Sequence, residues 1–337
     1  MRVSRVVLLF FLIIGSVGIA FAAGNQDTAG SVSGDAPKEM VVATFHSKKG
    51  TPSVDGLFKF KEILEQKTDK IDVQVFFGGT MGGERELVEQ VKLGTVHMCI
   101  EGWGTKGTYL KKVIPWGVPY LFSSSEEITA TIQGKIGQEV SRIFENNGMV
   151  WAGEYFRGNR QLTSNMMVRS PEDLKGLKLR LPENPDWIVV WKEFGSLPTP
   201  IPSPEVFAAL QTGVVDAQEN PISSNYDKRL WEVQKYTILT NHIVDLEGYV
   251  LSKQYLDGLS PDLRQIVLDS AKEALEWATE TSFSNEDTLK ADMESKGMEF
   301  VKVDLKPFQE TALSTMPHFQ ETWEPWVIDE VRKVVGK

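Results

Sequence analysis

Cysteine is almost absent: Cys99 is the single one in 337 residues, so no disulfide can form within the chain and stability must come from packing alone. Histidine is scarce too. The four, His46, His97, His242 and His318, lack metal-ligand spacing, and a zinc site would need clustered nitrogen or sulfur donors. A Gly-x-Ser-x-Gly elbow, a Cys-x-x-Cys pair and a dinucleotide-binding glycine pattern are all missing, so the common hydrolase, redox and dehydrogenase chemistries lack their motifs, and neither a metal nor a cofactor is expected. No repeat of about twenty to fifty residues recurs. Positive charge is in deficit, with a formal net charge of -10, a poor match for nucleic acid or an anionic membrane surface. An anionic ligand would need a locally basic pocket inside this acidic whole, which makes each inward arginine informative.

The one long apolar run lies at the start. Arg2 and Arg5 precede Val6 to Ile14, which continues loosely to Ala23, and Ala20, Phe21 and Ala22 form a small-x-small site. Residues 1–23 therefore read as a secretory signal peptide cleaved near Ala22 and Ala23, the alternative being an uncleaved anchor. No cysteine follows the site, so a lipid anchor would lack its attachment residue. Removing Arg2 and Arg5 takes the net charge from -10 to -12. Residues 24–39, rich in Gly, Ser, Ala and Asp, read as a flexible tether. The roughly 300 residues left exceed one comfortable core and suggest two lobes.

Strands and helices alternate from Met40 onward. Met40 to Phe45 reads as a strand ending at His46 and Ser47, with a helix starting at Thr51 and Pro52. Ile71, Val73 and Val75 alternate as a second strand; Gly78 to Gly83 turn the chain into a helix from Glu84 to Leu93, closed by Gly94. Val96 to Ile100 form a third strand running out at Glu101, Gly102 and Trp103. This is an α/β doubly wound pattern. The glycine-rich turn is not a phosphate cradle, because no Lys-Ser/Thr pair follows and Glu84 at the helix start would repel phosphate. Cys99, between Met98 and Ile100, reads as an inert buried thiol. Further on, Trp151 to Phe156 and Asn241 to Leu251 read as strands crossing between the lobes. Ser260, Pro261 and Asp262 open a helix with no Gly or Pro until Gly297, long enough at about 1.5 Å per residue to reach about 50 Å. Val301 and Val303 suggest a late strand, and Pro307 to Val335 a helical cap.

The stretch from Arg157 to Pro221 organises the rest. Leu177, Leu179 and Leu181 alternate with Lys178 and Arg180, sending the leucines to a core and both cations to the opposite face. Ser170 and Pro171 start a short helix that Gly176 closes; Ser203, Pro204 and Glu205 start another that Gly213 ends. Val214 and Val215 begin a short strand running out at Gln218, Glu219, Asn220 and Pro221. If the two strands pair in parallel, Arg180 and Asn220 reach the same carboxyl edge, where open α/β sheets bind ligands. A guanidinium there offers a planar fork matched to a carboxylate. Arg180 could instead be a solvated strand residue, Arg160 a surface turn residue, and Asn220 an Asx turn before Pro221.

The order of these elements resembles the solute-binding (DctP-like) proteins of tripartite ATP-independent periplasmic (TRAP) transporters. Asp173 to Arg180 stand as DLKGLKLR and Gln218 to Pro221 as QENP, while Gly78 to Met98 resemble the family's glycine turn, acidic helix and strand. The resemblance implies a two-lobed periplasmic-binding-protein-like fold with a long helix bracing both lobes: 40–156 plus about 246–285 in lobe I, 157–245 plus about 286–337 in lobe II. It implies that Arg180 clamps a ligand carboxylate, with Arg160 and Asn220 beside it. His46, Glu84, Glu101 and Trp103 end or start elements of the first lobe and are candidates to line the cleft, each also readable as a turn or packing residue. Where the family often carries an aromatic over the ligand, this chain has Ser203, which directs attention to Trp187 as a substitute.

The sequence thus reads as an exported α/β receptor, expected to be a monomer, for a small organic acid, with a uronate-like sugar acid first and dicarboxylates, keto acids and aromatic acids open. Its expected partners are TRAP membrane subunits; a sensor subunit for a signalling receptor and a sugar-acid enzyme are the alternatives. N-terminal sequencing of the exported, soluble protein should begin near Ala23; a chain still beginning at Met1 would contradict the cleaved leader.

Overall fold

The computed structural model describes residues 37–47 and 49–336; the expected signal peptide and most of the tether lie outside the described residues. The strands are β1 (Lys38–Ala43), β2 (Ile71–Phe76), β3 (Met98–Glu101), β4 (Met149–Ser164), β5 (Lys178–Leu181), β6 (Leu197–Pro200), β7 (Ala217–Pro221), β8 (Tyr236–Leu239), β9 (Val244–Ser252) and β10 (Glu299–Lys302). β1 opens at Lys38, so Lys38 and Glu39, expected in the tether, belong to a strand. The strands join in the order β2-β1-β3-β9-β4-β7-β5-β6, with β8 bridging β4 and β10. Pairing is parallel within β1, β2 and β3 and within β5, β6 and β7, whereas β9 is antiparallel to β3 and β4, and β7 antiparallel to β4. The expected parallel pairing of β5 with β7 is present.

β4 holds the two parallel groups together. Its first part, from Met149 to Asn159, runs along β9, and its end, from Arg160 to Ser164, runs along β7. The register slips between Trp151 and Gly153 and again between Phe156 and Asn159. Gly153 and Gly158 sit at these slips with φ of 127° and 86°, conformations that favour a residue without Cβ.

The helix Pro261–Ser295 is 35 residues long, with Ser260 Oγ accepting from Leu263 N at 3.4 Å and Pro261 in its first turn. Val267, Ala271, Ala274 and Ala278 bury in the main core beneath the helix Pro52–Lys67, whereas Leu289 and Met293 join a smaller cluster with Ile201, Val206 and Leu210. One helix therefore contributes to two apolar clusters. Helices Lys306–Leu313, Met316–Thr322 and Pro325–Val335 form the C-terminal cap. Cys99 is fully buried in β3, and burial pushes its thiol up. Ala278 sets how closely the long helix approaches: its Cβ lies 3.5 Å from where a side chain on Gly56 would begin. Ala278→Leu should lower unfolding free energy by about 1–3 kcal/mol through overpacking, read in urea titrations.

Candidate functional site: an arginine-walled cavity

The parallel register puts Arg180 beside Gln218, and Arg180 and Asn220 are each the last residue but one of their strands, β5 and β7. Both open on a cavity of about 330 Å³, a size that suits a small metabolite. The alternation of β5 holds only halfway: Lys178 is exposed and pairs with Asp216, but Arg180, on the same face, is 3 % exposed. The chain returning through Ile201 covers it, and Arg180 Nε donates to Ile201 O at 2.8 Å. Among the described residues no carboxylate forms an ion pair with Arg180. Burial, and the neighbouring Arg160 charge acting against Glu219, pull its pKa down to about 10. A buried guanidinium without a counterion is costly and needs a reason.

Its neighbours are paired. Asp245 on β9 accepts from Arg160 Nη1 at 2.7 Å, from Arg157 Nε at 2.7 Å and from Trp103 Nε1 at 2.7 Å. Arg160 also grips Glu219 through Nε at 2.5 Å and Nη2 at 2.9 Å, and donates to Asn220 Oδ1 at 3.1 Å. Asn220 Nδ2 reaches Gln218 Oε1 at 2.5 Å, so the side chain is held across the strand end and not in an Asx turn. Arg157 extends the network to Glu247 at 3.1 Å. Glu247 also receives His46 Nε2 at 2.9 Å and the Tyr155 hydroxyl at 2.6 Å.

Electrostatics follow from who shares which carboxylate. Burial draws His46 down, but Glu247 and Asp227 outweigh it and its pKa is raised. Burial wins at His242, whose Glu219 is shared with Arg160, and its pKa is lowered. Glu219 and Glu247 resist the upward push of burial because Arg160 and Arg157 stand against them; both are lowered.

The helix Glu84–Leu93 supplies another part of the lining. Glu84 Oε1 accepts from Gly102 N at 2.8 Å, Thr105 N at 2.7 Å and Thr105 Oγ1 at 2.6 Å. A Cβ on Gly104 would lie 3.0 Å from Glu84 Oε2, so the carboxylate sits close against a bare backbone.

Of the residues singled out in the sequence, Arg180, Arg160, Asn220, His46, Glu84 and Trp103 line the cavity, as does Ser203. Glu101 and Trp187 do not. Glu101 is fully buried behind the wall with Lys106 Nζ at 2.7 Å, and Lys106 in turn lies 3.0 Å from Glu154; a strand end rich in buried neighbours turned it inward. Trp187 donates to Gly117 O at 2.7 Å and lies beneath the Arg160 guanidinium, 4.8 Å from its ring centre, so it supports the arginine from behind. Phe45 and Trp103 are aromatic residues on the cavity itself.

Arg157 and Glu247 also line the cavity and went unread in the sequence. Arg157 and Arg160 are three apart, which in a regular strand sends them to opposite faces. The bulge at Gly158 shifts the parity and brings both to Asp245. Among the described residues no His, Cys, Asp or Glu cluster is placed to hold a metal ion.

Residues 42–322 match the model of the bacterial extracellular solute-binding protein family 7, DctP. The chain belongs to that family. This DctP-like TRAP solute-binding protein is 31% identical over 255 residues to the 2,3-diketo-L-gulonate-binding periplasmic protein YiaO of Escherichia coli, across 75% of this chain and 78% of the relative. Among solved structures it resembles a TRAP periplasmic solute-binding protein of Sulfitobacter sp. NAS-14.1 with bound β-D-galacturonate, at TM-score 0.83 and 26% identity, covering 89% of this chain and 100% of that one. A TRAP solute-binding protein of Sulfurospirillum deleyianum with bound succinate gives TM-score 0.83 and 25% identity, over 88% and 99%. These proteins are two-lobed, and the solute-binding protein shares their fold.

The paired carboxylates set an acid limit. Glu219 and Glu247 have folded-state pKa values below their unfolded ones, so their contribution is present above the ordinary carboxylate range and is lost as pH falls through the depressed values. Stability in urea should therefore drop steadily below about pH 4. Glu247→Gln should flatten that slope by up to one proton; an unchanged slope would remove Glu247 from the network's acid response.

Proposed function

We propose that this solute-binding protein captures a small organic acid, a uronate or related sugar acid first, and delivers it to TRAP membrane subunits from the periplasm as a monomer without turning it over. The observation that carries the reading is Arg180, a buried guanidinium whose neighbours Arg157 and Arg160 are paired while it is not. A ligand carboxylate supplies the missing counterion in a planar, two-oxygen geometry. Asn220, fixed by Arg160, and His46 and Glu84 then meet hydroxyls. The galacturonate bound by the Sulfitobacter relative favours a sugar acid.

The motion that accompanies capture is hinge closure. Residues 40–156 with about 246–285 form one lobe and 157–245 with about 286–337 the other, so β4, β9 and the long helix cross between them. A ligand touching both lobes shifts the population towards the closed form by its differential affinity.

Arg180→Met separates binding from folding. Removing an uncompensated buried charge should leave the ligand-free protein as stable or more stable by about 1 kcal/mol, while affinity for the best acid found in a thermal-shift panel falls by about 2–5 kcal/mol. Calorimetry showing equal affinity for the folded variant would take Arg180 out of the site.

A further inference from the structure

A fourth cation stands near the cavity without lining it. Lys228 follows the helix Ile222–Asp227, and its side chain is only 7 % exposed, although lysines are rarely buried without a close partner. Its ion pair with Asp227 is long, at 3.7 Å, beyond hydrogen-bond reach. Asp227 is also shared: it accepts from Ser47 N at 3.2 Å and Ser47 Oγ at 3.1 Å, and His46 Nδ1 lies 3.8 Å away. The other charges acting on Lys228 are Arg180 on β5, Arg157 on β4 and Glu247 on β9. Burial, helped by the two arginines, outweighs the two carboxylates and pulls the lysine's pKa down to about 8.

Instead of a carboxylate, Lys228 Nζ reaches Ser224 Oγ at 3.2 Å, and Ser224 lines the cavity with Arg157 and Arg180. An ammonium has donors only, so Ser224 Oγ accepts and its own O–H is directed elsewhere. Ser224 Oγ makes no other hydrogen bond among the described residues, which leaves that proton for whatever fills the cavity. We propose that Lys228 is a positioning residue for capture: it presents Ser224 as a hydroxyl donor to the anion held by Arg180 and adds a second positive charge behind it. The inference rests on the reading of Arg180 as the carboxylate clamp. A bound anion favours the charged lysine, so it raises the Lys228 pKa, and capture above the free value takes up a proton. Binding is then strongest below about pH 8 and weakens as pH rises through it. Arg180, with a pKa of about 10, titrates above this window.

Calorimetry with galacturonate and succinate, in buffers of different ionisation enthalpy, tests this. If the ligand raises the Lys228 pKa by about one unit, affinity should fall about fourfold from about pH 7.5 to about pH 9, with about half a proton taken up per ligand near pH 8.5. Lys228→Met should bind about eightfold more weakly at about pH 7.5 and lose that proton uptake. His46, which faces Asp227 and also has a raised pKa, is kept in this variant, so the difference between the two proteins reads Lys228. Ser224→Ala should weaken binding about fivefold while retaining the uptake. No proton uptake by the wild-type protein, equal uptake in folded Lys228→Met, or wild-type affinity in Ser224→Ala each overturns the proposal, and none of them touches the affinity loss expected for Arg180→Met. Should the wild-type protein bind neither acid at millimolar concentration, the organic-acid reading fails and this inference falls with it.

Discussion

Asp245 grips two guanidinium groups at once, and the cavity depends on that grip. Arg157 and Arg160 approach its two oxygens at 2.7 Å each from either side of the Gly158 bulge in β4, and Trp103, which also lines the cavity, donates to the same carboxylate. Buried ion pairs gain little net stability, because desolvation offsets most of the attraction. Their value here is position: Arg160, stacked on Trp187, holds Asn220 at the cavity edge. With these charges satisfied internally, Arg180 is left as a buried guanidinium on the cavity with no ion pair among the described residues.

The fold makes this arrangement affordable only because β4 is irregular. A straight strand would send Arg157 away from Asp245, whereas the slip at Gly158 turns it inward and marks the place where the strand changes partners from β9 to β7. The long helix lies across the same junction, with its alanine face on one apolar cluster and Leu289 and Met293 in the other. Site and crossing therefore share residues of β4, Arg157 and Arg160 among them.

Much of this was legible in the chain. Proline-marked helix starts, glycine stops and the leucine alternation before Arg180 located β5, β7 and the carboxyl edge they share, because each is a local signal read within a few residues. Arg157 was hidden by the parity of a strand whose bulge cannot be seen from spacing. Asp245 and Glu247 stand in a strand whose acidic residues look like a solvated face, and only the partner strand shows that they face arginines. Glu101 and Trp187 misled for the converse reason: a polar or aromatic residue at an element's end turns to the cavity or to the core according to what packs beside it, here Lys106 for one and Arg160 for the other.

The central claim is that Arg180 lacks a protein counterion because the ligand provides it. A crystal structure of the protein with galacturonate measures this directly. The account predicts the ligand carboxylate in two-pronged contact with the Arg180 guanidinium, at about 2.7–2.9 Å from its nitrogens, with Arg157 and Arg160 still on Asp245. A carboxylate bound elsewhere, with Arg180 left alone or turned to a protein carboxylate, would contradict it.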